Sequence, residues 1–339
     1  MTVAKTLEIR TSPHIVSGYG VDSIMFNVVL ALLPAAAFAA YAFGLTALLT
    51  LAVAVASCAA AERWVSRRQG RSTLGDWSIV ITGLLFGLTL PPSLPLWMVA
   101  LGGVIATLLG KAIFGGLGQN PFNPALVGRA FLQAAFPASM TTWAPAFAEG
   151  RFGSLASSSL AFPFAKPAYD AVSAATPLAR WKFDGVLTPA GDLAFGLTGG
   201  SAGETSAVLI LLGGAYLIAR NMMSWRIPAG LLLAVVIVSG AAHAWDPSRY
   251  APPQFMLFSG GLMLGAVFMA TDMVASPLTP LGCWLYGALI GVLIAVIRIW
   301  GAMPEGVMYA ILLGNAVSPQ IDRLIQPRVY GTLPKEARS

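Results

Sequence analysis

Apolar residues occur along this chain in long unbroken blocks, without the alternation of a half-buried strand or the polar face of a surface helix. Blocks rich in Leu, Ala and Val lie at about 24–43, 45–61, 78–90, 96–110 and 125–138, and again at about 206–219, 227–244, 255–270, 281–297 and 306–317. A helix needs roughly 20 apolar residues to cross about 30 Å of hydrocarbon. Several blocks reach that length, and the others are short and interrupted by Gly and Pro. The pattern predicts an all-α polytopic membrane protein of about ten transmembrane helices. The continuity of the blocks excludes an outer-membrane barrel, whose strands would alternate.

Five blocks precede a long segment and five follow it, so the second group starts from the opposite face of the membrane. This is the arithmetic of two five-helix inverted repeats with some short or broken helices. The Gly-punctuated runs ITGLLFGLTLPPSLP and GGLMLGAVFMATDMVASPLTP, both ending in proline, support the repeat. The expected organisation is a cytoplasmic tail over 1–23, a first membrane repeat over 24–138, a loop over 139–205, a second repeat over 206–317 and a cytoplasmic tail over 318–339.

Composition agrees with this picture: 57% of the residues are hydrophobic and 10% charged, against about 25% charged in a soluble domain. The formal net charge of +6 would suggest nucleic acid were it not for where the cations fall. Lys5 and Arg10 precede the first block, Arg63, Arg67, Arg68 and Arg71 follow the second, Arg220 and Arg226 flank the sixth and seventh, and Arg323, Arg328, Lys335 and Arg338 follow the tenth. All fall on one side, which the positive-inside rule makes cytoplasmic. Both termini are then cytoplasmic and the 139–205 loop faces the other side. Cys58 and Cys283 sit in separate blocks without a CxxC partner, which excludes a zinc site, a redox dithiol or a Cys-ligated cluster built from this chain alone. The first residues lack a basic-then-apolar leader pattern, so the first span is expected in the mature protein.

Segments broken by Gly and Pro are where backbone can line a cavity inside the membrane without meeting lipid. One is KAIFGGLGQNPFNPALVGRAF, in which Asn120 and Asn123 each precede a proline and a new helix starts near Pro124. These amides serve as turn and cap residues, and equally as paired donors and acceptors for an uncharged polar ligand. Arg129, in the same helix, is expected to snorkel to the interface. The other broken segment is ATDMVASPLTP, where Asp272 and freed carbonyls suit an ion pathway. Asp76, Glu204 and Glu305 stand at span ends as caps or water-facing acids, and His14 and His243 lack metal-ligand spacing; no metal site is expected.

The loop contains YDAVSAATPLARW, with Asp170, Ser173 and Thr176. As local chemistry, a Ser or Thr before Pro177 caps a helix. The same run is similar to the motif at which D subunits of Rnf complexes, and B subunits of sodium-pumping NADH:quinone reductases, carry covalent FMN, with Ala174 standing where that family usually has Gly. TSPH, GLLFGLTLPPSLP, GKAIFGGLGQNPFNPALVGRAFL, GETS, SWRIP, FMATDMVASP and IRIWGAMPEGVMYAILLGN also resemble Rnf D-subunit segments, in the same order and over nearly the whole chain. The short N-terminal tail favours the Rnf D type.

The resemblance implies that a flavin transferase joins FMN to the Thr176 hydroxyl as a phosphoester, with Asp170 and Ser173 in the recognised sequence. It further implies a noncovalent flavin, riboflavin, held near the cytoplasmic side by Asn120 and Asn123. The expected function is then a flavin-carrying subunit of an ion-translocating ferredoxin:NAD oxidoreductase, coupled to Na⁺ or H⁺ and catalytically incomplete alone. Its partners would be the A, B, C, E and G subunits and membrane lipid, not nucleic acid, and its place the bacterial inner membrane with the flavin loop periplasmic. The rival readings are a B-subunit-like component of the quinone reductase and a small-solute channel of urea-channel-like architecture, which has no use for the flavin motif. An alkaline-phosphatase fusion after Lys166 is expected to be active and one after Arg68 inactive; the opposite pattern would invert the assigned topology.

Overall fold

The computed structural model describes residues 20–69, 74–153, 155–163, 175–204, 206–301 and 303–326. Asp170 and Ser173 lie outside the described residues, as do Lys5, Arg10, His14, Arg71, Lys166, Arg328, Lys335 and Arg338. The described residues are helical without strands. In the first half α1 covers Val21–Phe43, α2 Leu45–Gln69, α3 Ser78–Leu88, α4 Leu96–Gly110, α5 Pro124–Ala135 and α6 Pro137–Met140. Short helices α7 (Pro177–Ala179) and α8 (Ala190–Phe195) follow, then α9 (Ala207–Ala219), α10 (Arg226–Trp245), α11 (Pro253–Phe258), α12 (Leu262–Leu264), α13 (Pro280–Trp300) and α14 (Val307–Leu324).

Five helices, over Val21–Phe43, Leu45–Arg68, Leu96–Phe114, Arg226–Trp245 and Pro280–Trp300, are long and apolar enough to cross a membrane, and Ser78–Leu88 and Ala207–Ala219 are shorter apolar helices. Leu33, Leu48, Leu212, Leu233, Ile237 and Leu285 lie exposed on these helices, as expected of surface that meets acyl chains. This is an all-α polytopic membrane protein. Small residues let its helices approach closely: a Cβ on Gly287 would collide with the Ile227 carbonyl oxygen and one on Gly291 with that of Leu231, so these two glycines set the α10–α13 contact. The pairings recur between the halves, α2–α4 and α4–α5 in the first matching α10–α13 and α13–α14 in the second, with α1 against α9 joining them.

One expectation is corrected. The block at 255–270 is not one span: α11 ends at Phe258, Gly260 turns with φ +65°, and α12 continues into a wider turn over Gly265–Met269. The cause is the Ser259-Gly260-Gly261 run, which removes helical stiffness. Part of the 139–205 segment packs onto the bundle, with Leu178, Leu193, Ser201 and Ala202 buried. Ala202 N and Gly203 N donate to Leu90 O (3.2 Å) and Leu88 O (2.6 Å), satisfying carbonyls at the end of α3.

One buried charge is paired where α2, α3 and α4 converge. Lys111, just past α4 and 2% exposed, donates to Glu62 Oε1 at 2.9 Å and to Ser78 Oγ at 2.8 Å, while Asp76 Oδ1 accepts from Ser78 N (3.0 Å) and Oγ (2.6 Å). These contacts tie together the same ends of α2, α3 and α4. Removing one member of a buried pair strands the other charge and costs about 3–5 kcal/mol, whereas replacing both with apolar groups can be neutral. Lys111→Met should therefore lower the thermal unfolding midpoint of the detergent-solubilised chain markedly, and Lys111→Met with Glu62→Leu should recover most of the loss. Equal losses in the two would show that the ion pair is not the tie.

Candidate functional site

Two cavities lie at opposite ends of α3, which spans about 16 Å at ~1.5 Å per residue. The first, the basic-end cavity, has a volume of about 400 Å³ and is lined by Ser78, Lys111, Asn120, Asn123 and Asp272, with apolar walls that include Met25, Leu85 and Phe268. Met222 and Met223, between α9 and α10, also line it. Asp322 Oδ1 accepts from Leu278 N at 3.1 Å, which brings the end of α14 to the same side. Arg63, Arg67, Arg68, Arg220, Arg226 and Arg323 thus gather at this end of the bundle.

Both segments singled out as broken in the sequence meet at this cavity. Asn123 caps α5, its Oδ1 accepting from Ala125 N (3.1 Å) and Leu126 N (3.4 Å), and its Nδ2 donates to Met269 O at 3.4 Å. Most of its amide is therefore committed to structure. Asn315, with its amide turned so that each end has a partner, accepts from Asn123 N at 3.1 Å and donates to Tyr286 Oη at 2.6 Å. Asn120, 4% exposed, donates to Phe122 O at 3.2 Å and interacts with the Asp272 side chain. Asp272 Oδ1 also accepts from Val274 N at 3.1 Å. Among the described residues no group of three or more His, Cys, Asp or Glu is placed to hold a metal ion.

The second, the loop-end cavity, measures about 480 Å³ and opens among α5, α6, α7 and the start of α14. Thr176 is 2% exposed and lines it. Its backbone is extended (φ −63°, ψ 153°), Pro177 begins α7, and Oγ1 accepts from Ala179 N at 3.2 Å. The capping role expected from local chemistry is thus realised at the wall of a cavity. The segment after it is pinned to the bundle: Trp181 packs against Phe255 with ring centroids 6.3 Å apart, and Lys182 Nζ donates to Gly301 O (2.5 Å) and Met303 O (3.1 Å). Partial burial pulls the Lys182 ammonium below the ordinary lysine value.

Arg129 does not snorkel, nor does it reach toward the Asn120–Asn123 end. Its Nη2 donates to Glu305 Oε2 at 2.9 Å, and both side chains, mostly buried, line the loop-end cavity. One and a half turns of α5 carry position 129 from the cap at Asn123 to the other cavity. Glu204 and Glu305 are likewise not the N-caps of the helices that follow them, those positions being Ser206 for α9 and Gly306 for α14, and Glu204 Oε1 and Glu305 Oε1 are buried without a hydrogen-bond partner among the described residues. Arg298, 4% exposed, donates to Met256 O (2.6 Å) and Ser259 O (2.9 Å), satisfying carbonyls freed where α11 ends. Sequence reasoning missed the Lys111–Glu62 and Arg129–Glu305 pairs and the Asn315–Tyr286 contact. The available signal was a charged or amide residue inside or beside an apolar helix, which marks function or pairing by default.

Each cavity exceeds the roughly 300 Å³ at which ligand pockets begin and combines largely apolar walls with a few polar groups. His243 Nδ1 is within 2.7 Å of Tyr250 O, a structural contact, and Cys58 and Cys283 are both buried and form no disulfide.

Residues 8–331 match the model of the NQR2, RnfD, RnfE family. The chain is 44% identical over 332 residues to the D subunit of the ion-translocating oxidoreductase complex of Stutzerimonas stutzeri, covering 92% of each chain. It is 41% identical over 340 residues to the D subunit of the Na⁺-translocating ferredoxin:NAD⁺ oxidoreductase complex of Acetobacterium woodii, covering 98% of each. It is 39% identical over 335 residues to the D subunit of the proton-translocating ferredoxin:NAD⁺ oxidoreductase complex of Clostridium ljungdahlii, covering 96% of each. With bundle, broken helices and near-full-length match in agreement, the chain belongs to the NQR2, RnfD, RnfE family.

Proposed function

We propose that this chain is a D-type membrane subunit of an ion-translocating ferredoxin:NAD oxidoreductase, bearing FMN as a phosphoester on Thr176 and a noncovalent flavin, riboflavin, in the basic-end cavity. The observation that carries this reading is that the threonine of the flavin-like motif lies on the wall of a cavity large enough for a ring system. Bound flavin supplies reversible one- and two-electron transfer. The chain's own part is to hold such a group in apolar surroundings, away from bulk water, at each end of α3.

At the loop end, the Thr176 cap, the Pro177 turn and the Lys182 contacts fix where the hydroxyl stands. At the basic end, Asn120 and Asp272 offer polar edges opposite an apolar wall, while Lys111 contributes a paired cation. The gathering of arginines at that end supports its cytoplasmic side and a periplasmic Thr176 segment, in a bacterial inner membrane. The names of the relatives support assembly with further subunits, of the A, B, C, E and G types, and maturation calls for a flavin transferase on the Thr176 side. Substrates are then handled by those partners, since the sequence has neither a dinucleotide fingerprint nor cluster ligands.

Thr176→Val keeps the branched shape and removes the hydroxyl. Co-expressed with a flavin transferase, the parent peptide containing position 176 should carry the FMN mass increment and the variant should lack it. An increment persisting in the variant would overturn the assignment. Asn120→Leu should cut affinity for noncovalent flavin about tenfold, from a lost hydrogen bond at ~0.5–1.5 kcal/mol and a ligand group left unpaired, with covalent loading unchanged. Normal acid-released flavin in the purified variant complex would remove Asn120 from the site.

A further inference from the structure

The loop-end cavity holds more charge than attachment to Thr176 requires. Its wall carries one ion pair, Arg129 Nη2 to Glu305 Oε2 at 2.9 Å, on otherwise largely apolar walls that include Leu126, Leu264, Met269 and Met308. Glu305 Oε2, which meets Arg129, has a second lone pair, while Oε1 is buried on the side of Gly260 and accepts no hydrogen bond among the described residues. Arg129 commits one of five guanidinium hydrogens to Glu305. At the cavity wall the pair thus presents, side by side, a carboxylate with acceptor capacity to spare and a guanidinium with further donors. Two further ionisable groups stand behind it, since Glu204 is within electrostatic reach of Glu305 and Arg129, and Arg298 of Glu305 and Glu204. Two guanidinium groups and two carboxyls thus stand close together at this end of the bundle.

We infer that Arg129 and Glu305 are positioning residues for the flavin ring in this cavity, Glu305 accepting from a ring N–H and Arg129 donating to a ring carbonyl, and that their opposed charges set its reduction potential. The inference rests on the covalent-flavin reading above. Its chemical basis is complementarity: the pyrimidine edge of a flavin alternates carbonyl acceptors with an N–H donor, and a carboxylate beside a guanidinium presents the matching pattern. Reduction adds electron density to the ring. A net positive cluster therefore favours the reduced form and a net negative one disfavours it, with little screening in a low-dielectric site. A pair that served only to join α5 to the turn before α14 would have no reason to move a potential in opposite directions.

The covalent link makes the test clean, because the ring stays on Thr176 when its noncovalent contacts are lost. The full chain in its complex would be prepared with Glu305→Gln, with Arg129→Gln, and with both changes together. Covalent loading would be read by peptide mass and the potential by a spectroelectrochemical titration. Glu305→Gln, nearly isosteric, should raise the potential by an amount equal to a tenfold change in the oxidised-to-reduced ratio or more, about 30 mV for a two-electron couple. Arg129→Gln should lower it by a similar amount, and the double variant should return close to the parent. If Arg129→Gln fails to assemble, Glu305→Gln and Arg129→Lys suffice, the lysine keeping the parent sign of charge and leaving the potential near the parent value. Potentials that stay put, or move the same way in both single variants with the FMN mass intact, would overturn the inference. Absence of the FMN mass in the parent would sink the covalent-flavin reading and this one with it.

Discussion

Hydrocarbon offers no partner to a peptide N–H or C=O, so each break in a helix of this bundle must find its partners within the protein. The end of α3 is met by Ala202 N and Gly203 N, the start of α5 by the Asn123 side chain, and the start of α13 by Thr279, whose Oγ1 accepts from Gly282 N at 3.1 Å. The end of α11 is met by the Arg298 guanidinium. All but the first of these devices consume a polar side chain that would otherwise be costly in the membrane. The breaks and the polar residues therefore occur together, and the cavities form where they do.

The same constraint governs charge. Lys111 is bound to Glu62 and Arg129 to Glu305, so each of these cations reaches its cavity wall together with its counter-ion. Such pairs contribute little net stability, because desolvation offsets the attraction. What they provide is a fixed local field. One pair lies at the basic end beside Asn120 and Asp272, the other at the loop end beside Thr176, and between the two stands α3 with Phe86 and Leu88 fully buried. A bundle built this way keeps its polar work at two ends and a dry waist between them.

Contacts across the halves hold those ends in register. Asn123 reaches Met269 O on the broken helix of the second half, Asn315 locks the Asn123 backbone, and Tyr216 Oη donates to Asn27 Oδ1 at 2.5 Å between α9 and α1. A shift of one half against the other would break polar contacts that have no water to replace them. The two cavities are thereby held at a fixed separation.

Membrane class, all-α character and the clustering of basic residues at one end were legible in the sequence, because hydrocarbon thickness and loop charge act on local stretches of chain and need no tertiary contact. The Asn120–Asn123 and Asp272 segments could be singled out for the same reason: Gly and Pro break a helix wherever it packs. Thr176 was named by motif resemblance alone, and its burial at a cavity wall followed only from the packing of residues 175–204 into the bundle. Tertiary structure decided which charges meet. Arg129 and Glu305 are 176 positions apart, and no periodicity links them. Position 129 looked like an interfacial arginine until α5 was seen to run from one cavity to the other. Likewise Glu62, Ser78 and Lys111 are ordinary residues at three helix ends, and only the convergence of those ends makes them a single buried cluster. Local sequence determines how each segment crosses or breaks; which polar groups become partners is set by packing, because desolvation makes any unpartnered arrangement too costly to persist.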